Sequence, residues 1–191
     1  MPAEIKISSQ QILSAALDIV RNDGIDSLNA RAVCKKIGCT ARPIFRAFSS
    51  MEGLKHALLA PAKEIYIQYI IRPCESTYPF MNLGINYIQF AIEEKNLFLF
   101  LFMTNQIDIQ TPSELISDRW ADVIEEMSAK LNLSNGNART LLLELSILAH
   151  GMATLITTNS IRYQPYEIER LFLIAFEGIL AELKSKHQKE P

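Results

Sequence analysis

The sequence predicts an all-α protein, and three observations lead to that class. Seven glycines and eight prolines are few for 191 residues, which favours helices over a turn-rich β fold. Along most of the chain, apolar residues recur at the spacing that buries one face of an α-helix. Hydrophobic residues make up 49% and charged residues 21%, a composition typical of a packed soluble protein. The length fits one large domain or a small domain fused to a larger one.

The first helix is predicted to begin at Ser8 or Ser9, either of which can cap it. It is predicted to end at Asp23, with Gly24 as a left-handed cap. The residues of its apolar stripe are Ile12, Leu13, Ala16, Leu17, Ile19 and Val20.

Two short helices joined by a tight turn are predicted between Asn29 and Leu54. Asn29 is a good N-cap for the first, and Gly38 provides the permissive backbone of a sharp turn. Thr40 can cap the second, and Pro43 falls in its first turn, where its missing N–H costs little. Together with the preceding helix they would close a core of Leu17, Val33, Ile37, Ile44, Phe45 and Phe48.

The second of these short helices carries two arginines four residues apart, Arg42 and Arg46, which therefore project from one face. A helix-turn-helix protein lays the start of its second helix against base edges in the major groove. An arginine there can bond guanine or a phosphate. An ordinary helical hairpin with solvated arginines accounts for the spacing about as well.

The charge distribution adds to the nucleic-acid interpretation. Through residue 60 the chain has eight lysines and arginines against five acidic residues, a net charge of +3, whereas the remainder carries −5. A basic end on an acidic body suits a protein that touches DNA with one end.

The same stretch resembles the DNA-binding region of the TetR family of transcriptional regulators, over roughly the first sixty residues. Met51 stands where the family usually has Lys, Phe45 where it often has Tyr, and Ala47 where His is frequent. Phe and Met cannot donate hydrogen bonds to phosphate, so the candidates to replace those donors are Arg31, Arg42, Arg46 and Lys55. The positions that match the family pattern are Asn29, Val33-Cys34, Gly38, Thr40, Phe45, Phe48 and Leu54.

The resemblance implies a homodimer that binds a palindromic double-stranded DNA operator and is released by a small apolar or amphipathic effector. It assigns base contacts to Thr40, Ala41, Arg42 and Pro43. Phe45 would pack beside the DNA backbone, and the phosphates would be held by Asn29, Arg46 and Lys55, with Arg31 as a further candidate.

The expected division is a TetR-type DNA-binding domain at residues 1–50 and a ligand-binding and dimerisation domain at residues 51–191. Ser49 and Glu52 have capping-box spacing at the start of the next helix, which would run towards Arg72 with a kink at Pro61. A linker is predicted at 73–79 and a loop at 105–112. The remaining helices are predicted at 80–94, 96–103, 113–131, 137–158 and 166–186, with Ile85, Ile88 and Ile92 as the stripe of the first.

The last two predicted helices are the candidates for dimerisation. The helix at 137–158 is apolar on more than one face, which indicates either a deep internal core or a surface shared with a partner. The body also contains soft and aromatic residues of the kind that line ligand pockets, although each alone is more simply a core residue. The polar-tipped residues chosen as pocket liners are Tyr66, Tyr87, Trp120 and His150.

Other functions find little support in the sequence. No catalytic motif occurs, and the cysteines and histidines show no metal-binding spacing, so we expect no enzymatic activity, no cofactor and no metal. No apolar run is long and uncharged enough for a membrane span and no leader signature opens the chain, so a cytoplasmic protein is expected. Two alternatives stay open: a helical dimerisation module that has lost specific DNA binding, and an enzyme with a helical body.

Overall fold

The computed structural model describes residues 7–73, 80–104 and 120–187. Within these ranges every regular element is helical, which confirms the predicted all-α class. A 3-10 turn lies at Ile25–Ser27. The α-helices are α1 (Ser9–Asp23), α2 (Ala30–Ile37), α3 (Arg42–Phe48), α4 (Met51–Ile70), α5 (Met81–Glu93), α6 (Lys95–Phe102), α7 (Ala121–Leu131), α8 (Asn135–Thr157) and α9 (Pro165–His187).

Most predicted boundaries agree with these helices to within two residues. The prediction at 113–131 is described only from residue 120 onwards, because its first part lies outside the described residues. Of the linker predicted at 73–79, residues 74–79 lie outside them, as does the whole loop predicted at 105–112. Pro61 lies inside α4, which is continuous through it, and the kink there stays a prediction.

The chain packs as two compact units. Unit 1 comprises the residues up to Gln68 and the segment from Glu94 that carries α6; unit 2 comprises Tyr69–Glu93 and the segment that carries α7 to α9. The proposed functional division at residue 50 is a separate question and stays a prediction.

Unit 1 is organised around α1. Ser8 caps this helix in a reciprocal box with Gln11, as the sequence predicts. Gly24 ends it with positive φ but an extended ψ of 166°, so the left-handed cap predicted there is wrong. The buried face of α1, against which the next two helices and α6 pack, consists of Ile12, Ala15, Ala16, Ile19 and Val20.

Unit 2 is a bundle in which α8 packs against α5, α7 and α9. Its largest fully buried side chains are aromatic: Phe90 from α5, and Phe172 and Phe176 from α9. The predicted stripe of α5 is correct for Ile88, which is fully buried, and wrong for Ile92, which is 43% exposed. Ile92 lies in the last turn of α5, where its side chain is partly open to solvent.

Candidate nucleic-acid interface

The turn between α2 and α3 forms as its local sequence dictates. The side chain of Asn29 accepts a hydrogen bond from the Ala32 amide at 2.9 Å, which confirms the predicted N-cap. Gly38 adopts the left-handed conformation (φ 67°, ψ 40°), which costs a glycine little because it has no Cβ. The chain therefore leaves α2 sharply and enters α3 after four residues.

The start of α3 differs from the prediction. The N-cap is Ala41 rather than Thr40, and no side chain caps the helix. The Ala41 carbonyl instead accepts from the Ile44 and Phe45 amides at 3.1 and 3.2 Å, and Pro43, in the first turn, has no amide to satisfy. Thr40 is exposed and lies outside the helix.

The two faces of α3 have different chemistry. Ile44 is fully buried and Phe48 partly buried, and these two residues anchor the helix in the head, by which we mean α1 to α3. Arg42, Phe45 and Arg46 share the opposite face because they are three and four residues apart. Phe45 is 45% exposed, so its predicted place in the core is wrong and its predicted surface position is the one observed.

The arginines of this surface make no ion pair with any residue that the structure describes. Among the described residues, Arg31, Arg42 and Arg46 make no ion pair, and Arg42 and Arg46 are exposed. Lys55, in contrast, lies 2.8 Å from the carboxylate of Glu52. Asn29 and Arg31 are exposed at the start of α2, Ala41 and Pro43 are half-buried, and these residues together with Thr40 border the exposed face of α3.

The turn from α3 to α4 is tight. Ser49 has a φ of +65°, and the Ser50 amide donates to the Phe48 carbonyl at 2.7 Å. The capping side chain is Ser50, which accepts from the Gly53 amide at 3.0 Å, so the Ser49–Glu52 box is wrong by one residue. A Cβ at residue 53 would lie 2.1 Å from the Phe48 carbonyl oxygen, which explains why glycine occupies this position.

A contact that the sequence could not reveal joins α6 to α1. The buried carboxylate of Glu94 pairs with Arg21, and the Asn96 amide donates to the carbonyls of Arg21 and Asn22 at 3.0 and 3.1 Å. The start of α6 thus supplies donors to two carbonyls in the last turn of α1, a turn whose carbonyls have no amide partner further along the helix. Seventy-three residues separate Arg21 from Glu94, so no local pattern signals the pair.

The predicted ligand-binding residues are only partly brought together. Within unit 2, the Tyr87 hydroxyl lies 2.9 Å from His150 Nδ1. Burial lowers the pKa of His150, which favours the neutral ring that can accept a hydrogen bond. Tyr66 belongs to unit 1, where its ring packs edge-on against Phe102 at 5.1 Å. Trp120 is half-buried immediately before α7.

The last two helices expose large apolar side chains. On α8 these are Ile147 (52% exposed) and Leu155, and on α9 Ile174 is 55% exposed. A Cβ added at Gly151 or Gly178 would meet no atom within 4 Å. The same face of α9 carries Leu171.

One helix among the described residues, α8, is long and apolar enough to cross a membrane, and 39% of its apolar window is buried inside the protein. The criterion is length and composition, and the core helix of a soluble protein also satisfies it.

Comparisons with known proteins give the fold and no more. No family model matches the chain, and no curated protein matches it. Among solved structures, the chain is similar to a protein of unknown function from Rhodococcus sp. RHA1, with a TM-score of 0.68. The two are 18% identical over 95% of this chain and 98% of the other. The arrangement of helices described above therefore occurs in another protein of similar length.

Proposed function

We propose that this chain is a TetR-type, cytoplasmic DNA-binding transcriptional regulator, most simply a repressor. The observation that carries the proposal is the outer face of α3, where Arg42 and Arg46 are exposed without ion-pair partners on a helix anchored by Ile44. Unpaired arginines on a rigid short helix are suited to base edges and phosphates, because a guanidinium donates in a planar fork. Phe45, between them, would contact sugars or thymine methyl groups.

The surrounding residues supply the rest of the proposed interface. Thr40, Ala41 and Pro43 border the start of α3 and would meet bases, while Asn29 and Arg31 at the start of α2 would meet phosphates. Lys55 would have to exchange its carboxylate partner for a phosphate. That exchange is small in cost because an exposed lysine–carboxylate pair contributes only about 0–1 kcal/mol.

Operator reading of this kind requires two heads, and we propose that α8 and α9 form the homodimer interface. Their exposed apolar side chains are unfavourable in water, at about 25 cal/mol per Å² of apolar area. Burying them against a second copy around a two-fold axis would remove that cost from both chains at once. Gly151 and Gly178 would let the partner's helices approach closely.

We also propose that a small apolar or amphipathic effector binds unit 2 and is oriented by the Tyr87–His150 pair. An effector that prefers one conformation of the dimer would shift the population towards it and weaken operator binding. Trp120, which also belongs to unit 2, is a further candidate liner from the sequence.

The direct test is binding to DNA from upstream of the gene, followed by selection of sites from a random duplex library. Arg42→Ala should lower specific affinity by about tenfold to a hundredfold, because a lost bidentate base contact costs about 1–3 kcal/mol. Lys130→Ala, an exposed cation on α7, is the matched control and should bind normally. If the native chain selects no sequence, the module without specific DNA binding becomes the better description.

A phosphate role is separable from a base role in the same assay. Arg46→Ala should weaken binding to all duplexes equally. It should also reduce the slope of log affinity against log salt concentration by about one. Equal losses on all sequences for Arg42→Ala would assign that residue to the backbone as well.

A further inference from the structure

The two cysteines beside the helix-turn-helix turn lie against each other. Cys34 is in the last turn of α2, and Cys39 is the second residue after it. The Cys39 amide donates to the Cys34 carbonyl at 3.1 Å, across the left-handed Gly38. This is the hydrogen bond of a Schellman motif, in which the side chains at these two positions are frequently in contact.

The Cys34 thiol also acts directly on the Cys39 thiol. Burial raises the pKa of the Cys39 thiol, and a hydrogen bond with the Cys34 thiol raises it further. Both residues are half-buried, so their sulfur atoms are shielded but within reach of a small solute. The backbone hydrogen bond and the interaction between the thiols thus both bring the two cysteines together.

We propose that Cys34 and Cys39 are a redox-sensitive dithiol that a peroxide converts to an intramolecular disulfide, and that closing this bond weakens DNA binding. The second half of the inference rests on the proposed function; the first half does not. The two cysteines are five residues apart in sequence and lie at the turn between α2 and α3.

The chemistry balances with hydrogen peroxide as the oxidant. The Cys34 thiolate attacks one peroxide oxygen, the O–O bond breaks, and hydroxide leaves and takes up a proton to become water. The resulting sulfenic acid is attacked by the Cys39 thiolate, the S–O bond breaks, and a second water forms. Each sulfur loses one electron and each peroxide oxygen gains one.

The bond would change the turn that presents α3. A disulfide draws two sulfurs to about 2.05 Å with a Cβ–S–S–Cβ dihedral near 90°. Thiols in hydrogen-bonding contact are farther apart, so the last turn of α2 and the residue after Gly38 must move together. Arg42 lies three residues after Cys39, and its proposed position over a base edge tolerates little displacement.

The test uses the full chain with Cys74→Ser, because Cys74 lies outside the described residues and would complicate thiol counting. The protein is treated with hydrogen peroxide and analysed by intact mass, by non-reducing peptide mapping and by binding to the selected duplex. We expect a mass lower by two hydrogen atoms, a peptide linking Cys34 to Cys39, and at least about tenfold weaker DNA binding that a reductant restores.

Cys34→Ser and Cys39→Ser, each in the same background, are the matched controls and should show neither the mass loss nor the reversible change in binding. Two free thiols after treatment, or only intermolecular links, would overturn the inference while leaving the proposed function intact. Equal binding by the disulfide and dithiol forms would also overturn it. A disulfide in a chain whose reduced form selects no DNA sequence would retain the dithiol site and reject the proposed function.

Discussion

The head and the α8–α9 pair expose opposite kinds of surface. In the head, Ile12, Val33 and Ile44 are fully buried, and among its described residues Phe45 is the exposed large hydrophobic side chain. The α8–α9 pair also has a buried face, with Leu141 and Phe172 fully buried, yet it exposes Ile147 and Ile174 by half or more. The head is closed within its own unit, whereas α8 and α9 leave apolar area that a partner could cover.

The difference indicates what each region meets. A closed core with unpaired arginines outside suits a polar, anionic partner, since the arginines gain from charge and the core loses nothing. An apolar helical face suits another apolar face, because water is the alternative. Substitutions of buried residues and of exposed residues should therefore have different effects in each region.

The largest effect is expected in the head core. Ile44→Ala removes a fully buried side chain and should reduce the free energy of unfolding by about 2–5 kcal/mol. Phe45→Ala, one residue later on the exposed face, should change it by less than about 0.5 kcal/mol, since exposed substitutions away from special features usually cost little. Chemical denaturation followed by circular dichroism measures both.

In duplex binding the order of the two variants should be reversed. Under conditions where both variants are folded, Phe45→Ala should weaken DNA binding by more than any unfolded fraction of the protein accounts for. If Phe45→Ala proved as destabilising as Ile44→Ala, the division of α3 into an anchoring face and a contact face would be incorrect.

The second effect concerns assembly. Ile174→Glu places a charge in the middle of the exposed face of α9 and should raise the dimer dissociation constant by about a hundredfold or more, equivalent to about 3 kcal/mol. Ile92→Glu is the matched control, because Ile92 is comparably exposed at 43% but lies on α5. Analytical ultracentrifugation over a concentration series gives the dissociation constants.

A native chain that sediments as a monomer at all concentrations would show that α8 and α9 are not an interface. A dimer disrupted equally by both substitutions would place the interface elsewhere or make it diffuse. In either case the proposed operator reading by two heads would lose its basis.

The head was predictable because its signals are local. Asn29 and Gly38 determine the ends of α2 through contacts within three or four residues, and the sequence alone identifies both. The two wrong caps also have local causes. At α3, backbone hydrogen bonds to the Ala41 carbonyl take the place of a Thr40 cap. At α4, Ser50 is the cap and not Ser49, because Ser49 adopts a positive φ. Such one-residue choices depend on tertiary packing of the turn.

Longer-range features were not predictable. The Arg21–Glu94 pair joins residues whose distance in the fold no periodicity encodes. The exposure of Ile92 and Ile174 could not be read from the sequence either, because an apolar stripe has the same spacing whether it faces its own core or a partner. The pairing of Tyr87 with His150 was likewise visible only after α5 and α8 were placed together.

A smaller effect is expected from the cap that begins α2. Asn29→Ala removes the side-chain acceptor of the Ala32 amide and should cost about 1 kcal/mol of unfolding free energy. Asn29→Ser keeps an acceptor and should cost less. If the alanine variant is as stable as the native chain but binds DNA more weakly, Asn29 acts through the interface and not through the helix end.

The smallest effect distinguishes the regions by their response to pH. His150 on α8 is the relevant group, because the ordinary pKa of a histidine, about 6.5, lies within the accessible pH range. Burial lowers the folded-state pKa of His150, so the unfolded chain binds a proton more readily. The resulting stability is fully present above the unfolded pKa of about 6.5 and is lost as pH falls through the folded-state value.

Between about pH 7.5 and about pH 5.5, the native chain should therefore lose more unfolding free energy than His150→Gln, whose side chain can still accept from Tyr87 but cannot titrate. Denaturation at the two pH values measures the difference, and background titrations cancel in the comparison. A difference of opposite sign would mean that folding favours the charged ring, and the Tyr87 hydroxyl could then not donate to a protonated Nδ1. The polar pair would in that case be unsuited to orienting an apolar effector, and unit 2 would need another anchor.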